Sequence, residues 1–167
     1  MYKIIFTTFI ATLLLASYGC DKDCNTFNAS AKRPDQFVFG HFYGECGGEG
    51  CVEIYKIEDG MLFEDTTDFY PAAFAPHDRI YVALSGEQYE AVKDLFDFFP
   101  EELYSEPNNV IGIPDGGDWG GIYVETYFEN NPAKSGFWLL DQNAANMPDL
   151  YNTFVARINE KITLINQ

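Results

Sequence analysis

An α+β fold, an antiparallel sheet with two amphipathic helices packed on one face, is predicted by three features of this chain of 167 residues. Several short runs alternate at the strand period of two. Two longer runs carry apolar residues at spacings of three and four. Glycine- and proline-rich turns separate them.

The first predicted strand, residues 36–44, reads QFVFGHFYG and puts Phe37, Phe39, His41 and Tyr43 on one face and Val38, Gly40 and Phe42 on the other. Both faces are largely apolar, so the strand lies inside the sheet. Residues 52–57 alternate and return antiparallel. Asp59-Gly60 then turns the chain into residues 61–65, which completes a three-stranded meander. Residues 79–84 form a short fourth strand ending at Ser85. With Gln88 three positions on, Ser85 fits a capping box. A helix is predicted over 86–99, with Tyr89, Val92, Leu95, Phe96 and Phe99 as its stripe and Pro100 closing it. Further strands are expected over 110–113, 122–129 and 137–140. A last helix opens at Pro148 and buries Leu150, Tyr151, Phe154, Val155, Ile158, Ile162 and Ile165, while Arg157 and Lys161 suit the dipole of its C-terminal half.

Cys46 and Cys51 bracket Gly47-Gly48-Glu49-Gly50 between two strand-like runs, so they face each other across a hairpin neck and are expected to form a disulfide. A thiolate metal site needs about four ligands, usually as two close pairs. Cys24, His41 and His77 do not supply that spacing. Cys24 is left odd, as a free thiol or an exchange partner of the hairpin pair.

The chain begins Met1-Tyr2-Lys3 and runs apolar from Ile4 to Ala16, interrupted by three threonines. The run is too short to span a membrane comfortably, and the small residues after it mark a signal peptide. Residues 1–19 are expected to be removed. Residues 20–34 are polar, without period, and read as a tether. Their typical reach is about 20 Å. Residues 35–167 make a single globular domain.

Ser17-Tyr18-Gly19-Cys20 resembles the lipobox of bacterial lipoproteins, in the looser form found among Bacteroidota. The resemblance implies lipidation of Cys20, by palmitate-type acyl chains, and a membrane partner in the cell envelope. An outer-membrane anchor is expected, facing the periplasm or the surface. Two or three chains, at about 0.8 kcal/mol per buried methylene, make such an anchor durable. Cys46, Cys51, Ser85 and Pro148, with the spacing between them, give the folded part a likeness to uncharacterised Bacteroidota lipoprotein domains.

The formal charge is −16, from 26 acidic against 10 basic residues, and removing residues 1–19 takes away only Lys3 among them. Such a field disfavours nucleic acid as a partner and concentrates cations. It also keeps a tethered domain soluble. The 15 Phe and 11 Tyr lie mostly at strand spacing, where core packing accounts for them.

No nucleophile elbow, HExxH, phosphate-binding loop or dinucleotide fingerprint occurs in the sequence, and no catalytic residue or cofactor is assigned. General-base chemistry would fall to His41, in an apolar strand, to His77, in the run Ala75-Pro76-His77-Asp78, or to a carboxylate pair. Asp65-Thr66-Thr67 matches the short O-glycosylation acceptor pattern of Bacteroidota.

The leading ligand loop is residues 115–121, where glycines let backbone approach a ligand and Asp115, Asp118 and Trp119 offer cation or sugar contacts. The plain alternative is a tight loop with Trp119 packed down. The spacing is not that of an EF-hand. A glycan, a cation or a protein is the ligand class this leaves. The expected function is a membrane-tethered, non-catalytic binding or interaction module. The alternatives are a hydrolase of envelope polymer and an inhibitor of extracellular enzymes.

Overall fold

A computed structural model describes residues 33–76 and 78–167. Cys20, Cys24 and His77, residues 1–19 and most of residues 20–34, where the signal peptide and the tether are expected, lie outside the described residues. Among the described residues no helix is long and apolar enough to cross a membrane.

Seven strands form one sheet: β1 (Gln36–Phe42), β2 (Val52–Glu58), β3 (Met61–Asp65), β4 (Tyr81–Ala83), β5 (Val110–Ile111), β6 (Gly121–Tyr127) and β7 (Gly136–Asp141). Their spatial order is β4-β3-β2-β1-β6-β7-β5. β1 lies between β2 and β6, with Phe39 opposite both Tyr55 and Val124. The sheet is mostly antiparallel, as expected, and departs from that at one edge, where β5 runs parallel to β7. Residues 112–135, which include β6, separate the two strands and are long enough for the crossover that parallel pairing requires.

The strand alternation sorts the apolar residues into two clusters. Phe37, Phe39, Tyr55, Leu62, Ile122, Val124, Trp138 and Leu140 join helical side chains in the larger core. Val38, Phe42, Val52, Ile54, Tyr123 and Leu139 make a smaller one.

The helix α1 (Gly86–Val92) starts at a capping box, with the Gln88 N–H donating to Ser85 Oγ and Gln88 Oε1 accepting the Ser85 N–H. It does not run on to Phe99 as the stripe suggested. A 3-10 turn over Leu95–Phe98 follows, and Phe99 is extended ahead of Pro100. The i,i+3 rows of a 3-10 turn keep Val92 and Leu95 buried, so tertiary packing is met without a longer α-helix. The helix α2 (Asp149–Ile165) buries Tyr151, Phe154, Val155, Ile158, Ile162 and Ile165. Leu150, assigned above to that stripe, is 48% exposed, because it falls on the outer side of the first turn. Lys161 is 8% exposed and does more than offset a dipole: its Nζ donates to the Ala91 carbonyl at 2.7 Å and pairs with Asp94 at 2.6 Å, bridging α2 to the end of α1.

The connection from β3 to β4 is a strap over the smaller cluster. Tyr70 stacks edge-on against Phe42, and the Arg79 guanidinium sits 5.1 Å from the Tyr123 ring. Arg79 Nη1 pairs with Asp65 Oδ2 at 2.6 Å, both side chains almost fully buried. Asp65 Oδ1 also accepts the Thr67 N–H and hydroxyl. Asn109 Nδ2 donates to the Ala73 carbonyl and ties the strap down near β5.

Candidate functional site

β1 carries the chain from Asp35 to Phe42, seven strand residues or roughly 20 Å at the usual rise per residue. Three features meet where it ends: the disulfide hairpin, the loop 115–121 and the last turns of α2.

The hairpin is held by the expected bond. Cys46 and Cys51 are joined at an S–S distance of 2.09 Å, with Cα atoms 5.6 Å apart. The Tyr43 N–H donates to the Cys51 carbonyl at 2.8 Å, so Tyr43 is fixed at the hairpin neck.

The loop 115–121 is a rigid turn built around one carboxylate. Asp115 Oδ2 accepts the Gly44 N–H at 2.7 Å and the Tyr70 hydroxyl at 2.9 Å, while Oδ1 accepts the Gly120 N–H at 3.1 Å. Burial, followed by that bond to Asp115, pushes the Tyr70 phenol up to about 12. The Asp115 N–H closes the loop on the Gly120 carbonyl. Asp115 and Asp118 both take positive φ, 60° and 64°, a region aspartate enters more readily than most side chains. Gly120, at φ 75°, could not bear a Cβ, which would collide with the Tyr43 ring and lie 2.7 Å from Gln142 Nε2.

These contacts divide the three residues proposed for this loop. Asp115 is spent on internal hydrogen bonds and works as the loop's staple. Asp118 is exposed. Trp119 is 62% exposed, not packed down, whereas the second tryptophan, Trp138, is 6% exposed in the core. Among the described residues no group of three or more His, Cys, Asp or Glu side chains is placed to hold a metal ion.

Beside Gly120 opens a cleft of about 550 Å³, lined by His41, Tyr43, Gln142, Asn159, Thr163 and Asn166, with Ile162 and Gln167. The His41 and Tyr43 rings meet edge to face at 5.1 Å. His41 Nε2 lies 3.3 Å from the Gly50 carbonyl, so the described histidine proposed as a base faces a backbone acceptor rather than a nucleophile. Burial holds its imidazole below the usual 6.5, against the upward pull of Glu53 and of that carbonyl. Asn159 Nδ2 donates to Gln142 Oε1 at 2.9 Å, and Gln142 Nε2 is buried without a hydrogen-bond partner. Asn166 Nδ2 donates to Glu53 Oε2, and the Tyr55 hydroxyl lies between Glu53 and Asn166 at 2.9 and 3.0 Å.

Sequence reasoning reached Trp119 and Asp115 but missed the cleft. A signal was present on α2: Asn159, Ile162, Thr163 and Asn166 recur at three, four and seven, one helical stripe in which polar amides flank the apolar one. Nothing local marked Tyr43 or Gln142, because their roles depend on the loop 115–121 folding back beside them. No family model matches the chain, and no curated protein matches it.

Proposed function

We propose that the chain is a lipid-tethered protein of the bacterial cell envelope whose folded part is a non-catalytic binding module. Cys20 is its anchor, in an outer membrane, and residues 20–34 are its tether. The carrying observation is Trp119, a large aromatic 62% exposed on a loop pinned by Asp115. An exposed indole on a loop tied down by hydrogen bonds is available to a ligand, and aromatic side chains, tryptophan above all, are the anchors that recognition surfaces favour.

Placement supports the same reading. The tether joins the domain next to Asp35, at the start of β1, while Trp119 and the cleft lie beyond its far end. The finer architecture belongs to the same proposal: β1 to β3 as a meander, with α1 and α2 as the amphipathic cover of one sheet face. That cover leaves the ends of the strands for recognition.

Two measurements test this reading. Metabolic labelling with a fatty acid should mark the wild-type chain and not Cys20→Ser, and equal labelling of both would overturn the anchor. Tryptophan emission of the full chain should shift to the blue when sonicated envelope material is added, and Trp119→Phe should lose the shift while buried Trp138 still emits. An unchanged spectrum for the wild-type chain would overturn the binding surface.

A further inference from the structure

We infer that the cleft between Tyr43 and α2 takes a neutral oligosaccharide, with Trp119 as a stacking platform at its rim. The inference rests on the binding-module reading above and names the ligand class for that end of the domain.

The lining side chains run against the character of the whole chain. The protein carries 26 acidic residues and a formal charge of −16, yet the cleft wall presents Tyr43, Gln142, Asn159, Thr163 and Asn166. His41 joins them as a neutral ring, since burial disfavours its protonation. A wall without a cation gives an anionic polymer no partner, and the surrounding acidity repels it. A cation would want convergent carboxylates; Glu53, which borders the cleft, is committed to Asn166 and the Tyr55 hydroxyl, and Asp115 on the loop to two amides and a phenol.

The side chains present do fit a sugar. Each primary amide offers donors and an acceptor in one plane, and each hydroxyl of a sugar both donates and accepts, so an amide can engage two neighbouring hydroxyls at once. Gln142 is poised for this: its Oε1 is held by Asn159, and its buried Nε2 donates to nothing within the protein. A buried donor left unmade costs free energy, which a ligand hydroxyl would restore once the amide turns out from beneath Gly120. Aromatic faces supply the apolar complement, because the C–H faces of a pyranose pack on rings. Tyr43 forms one wall of the cleft; Gly120 lies flush against Tyr43 and Gln142, and the exposed Trp119 precedes it in the chain. At about 550 Å³ the cleft holds a few sugar units rather than one.

The test titrates the full chain with a panel of neutral hexasaccharides, α- and β-linked, of glucose, mannose, galactose and xylose. Polygalacturonate and calcium chloride serve as charged comparators, and calorimetry and tryptophan emission are the readouts. The expected result is saturable binding of at least one neutral hexasaccharide. Gln142→Ala, Asn159→Ala and Tyr43→Phe are each expected to keep the native circular dichroism. The two alanine variants should weaken binding tenfold or more, and Trp119→Ala should weaken it by a similar factor. Thr163→Ala, an exposed change on α2, covers the case in which an amide variant fails to fold and should weaken binding severalfold. Saturation that ignores the Gln142 and Asn159 variants would overturn the inference, as would tighter binding of polygalacturonate. A Trp119-dependent response to envelope material with no hexasaccharide bound would overturn the sugar alone and leave the binding module standing. Absence of both responses would remove the reading on which it rests.

Discussion

Asp115 and Gly44 stand 71 residues apart in the chain, and the Oδ2 atom of the first accepts the backbone N–H of the second at 2.7 Å. That bond joins the disulfide hairpin to the glycine-rich loop. Tyr70 of the strap ends on the same oxygen, so one carboxylate gathers three connections that leave different strands.

Removing that carboxylate should therefore loosen all three together. Asp115→Ala leaves the Gly44 and Gly120 amides and the Tyr70 hydroxyl without their acceptor, and the alanine must take a positive φ. At about 1 kcal/mol for each lost bond, the expected loss is about 3 kcal/mol in urea denaturation. Asp115→Asn keeps one acceptor and tolerates the backbone, so about half that loss is expected. Equal stability of the wild-type and alanine proteins would show that Asp115 is not the staple.

The buried pair of Arg79 and Asp65 makes a second prediction. Arg79→Leu strands a carboxylate that is wholly out of water, and breaking such a pair costs about 3–5 kcal/mol. Adding Asp65→Leu removes the stranded charge and should recover part of the loss, though not all, since Thr67 then loses its own acceptor. Denaturation of the two single variants and the double gives the coupling directly. Strictly additive losses would mean the two side chains stabilise the strap independently.

The strands were legible because alternation reports which face is buried, and in β1 the split of Phe37 and Phe39 from Val38 and Phe42 matches the two clusters. The capping box at Ser85 was legible because its chemistry is local. The end of α1 was not, since Leu95, Phe96 and Phe99 satisfy a 3.6 period and a 3-10 turn about equally well. Packing around Phe99, which meets Phe37, Phe96, Tyr104, Trp138 and Phe154, decides between them. The parallel β5 was hidden for a related reason: two residues beside β7 have no pattern of their own. At the candidate site, composition pointed to the loop 115–121, but not to Asp115 as its internal support. That role is set by Gly44 and Tyr70, which are remote in sequence.

The disulfide closes a loop with a sequence separation of 5. Chain entropy removed from the unfolded state by so short a closure is modest, about 2 kcal/mol or less. Cys46→Ser with Cys51→Ser should fold, with a Tm a few degrees lower by calorimetry, because Tyr43 still donates to the residue 51 carbonyl. A variant that fails to fold at all would assign the hairpin a larger part in the fold than this.

Alkaline pH should unfold the domain through its phenols. Burial is the first cause of the raised values of Tyr70 and Tyr104, both pushed up to about 12 from an ordinary 10.0. For Tyr70 the bond to Asp115 adds to it. For Tyr104 the nearby Thr126 hydroxyl partly offsets it, while the Glu101 charge adds. Tyr55, Tyr81, Tyr123 and Tyr151 are raised as well, with burial first in each case. A folded value above the unfolded one means the fold prefers the protonated phenol. The stabilisation is then complete below pH 10 and lost as pH climbs through about 12. Stability against urea should accordingly hold level up to about pH 10 and fall between about 10 and 12. Phenolate absorbance over the same range should rise in step with unfolding. Tyr70→Phe removes one contributor near the candidate site, so its stability should fall less steeply over that interval, from a lower starting value because the bond to Asp115 is gone. A wild-type stability level through pH 12, or phenolate signals from most tyrosines while the protein stays folded, would contradict the burial on which the prediction rests.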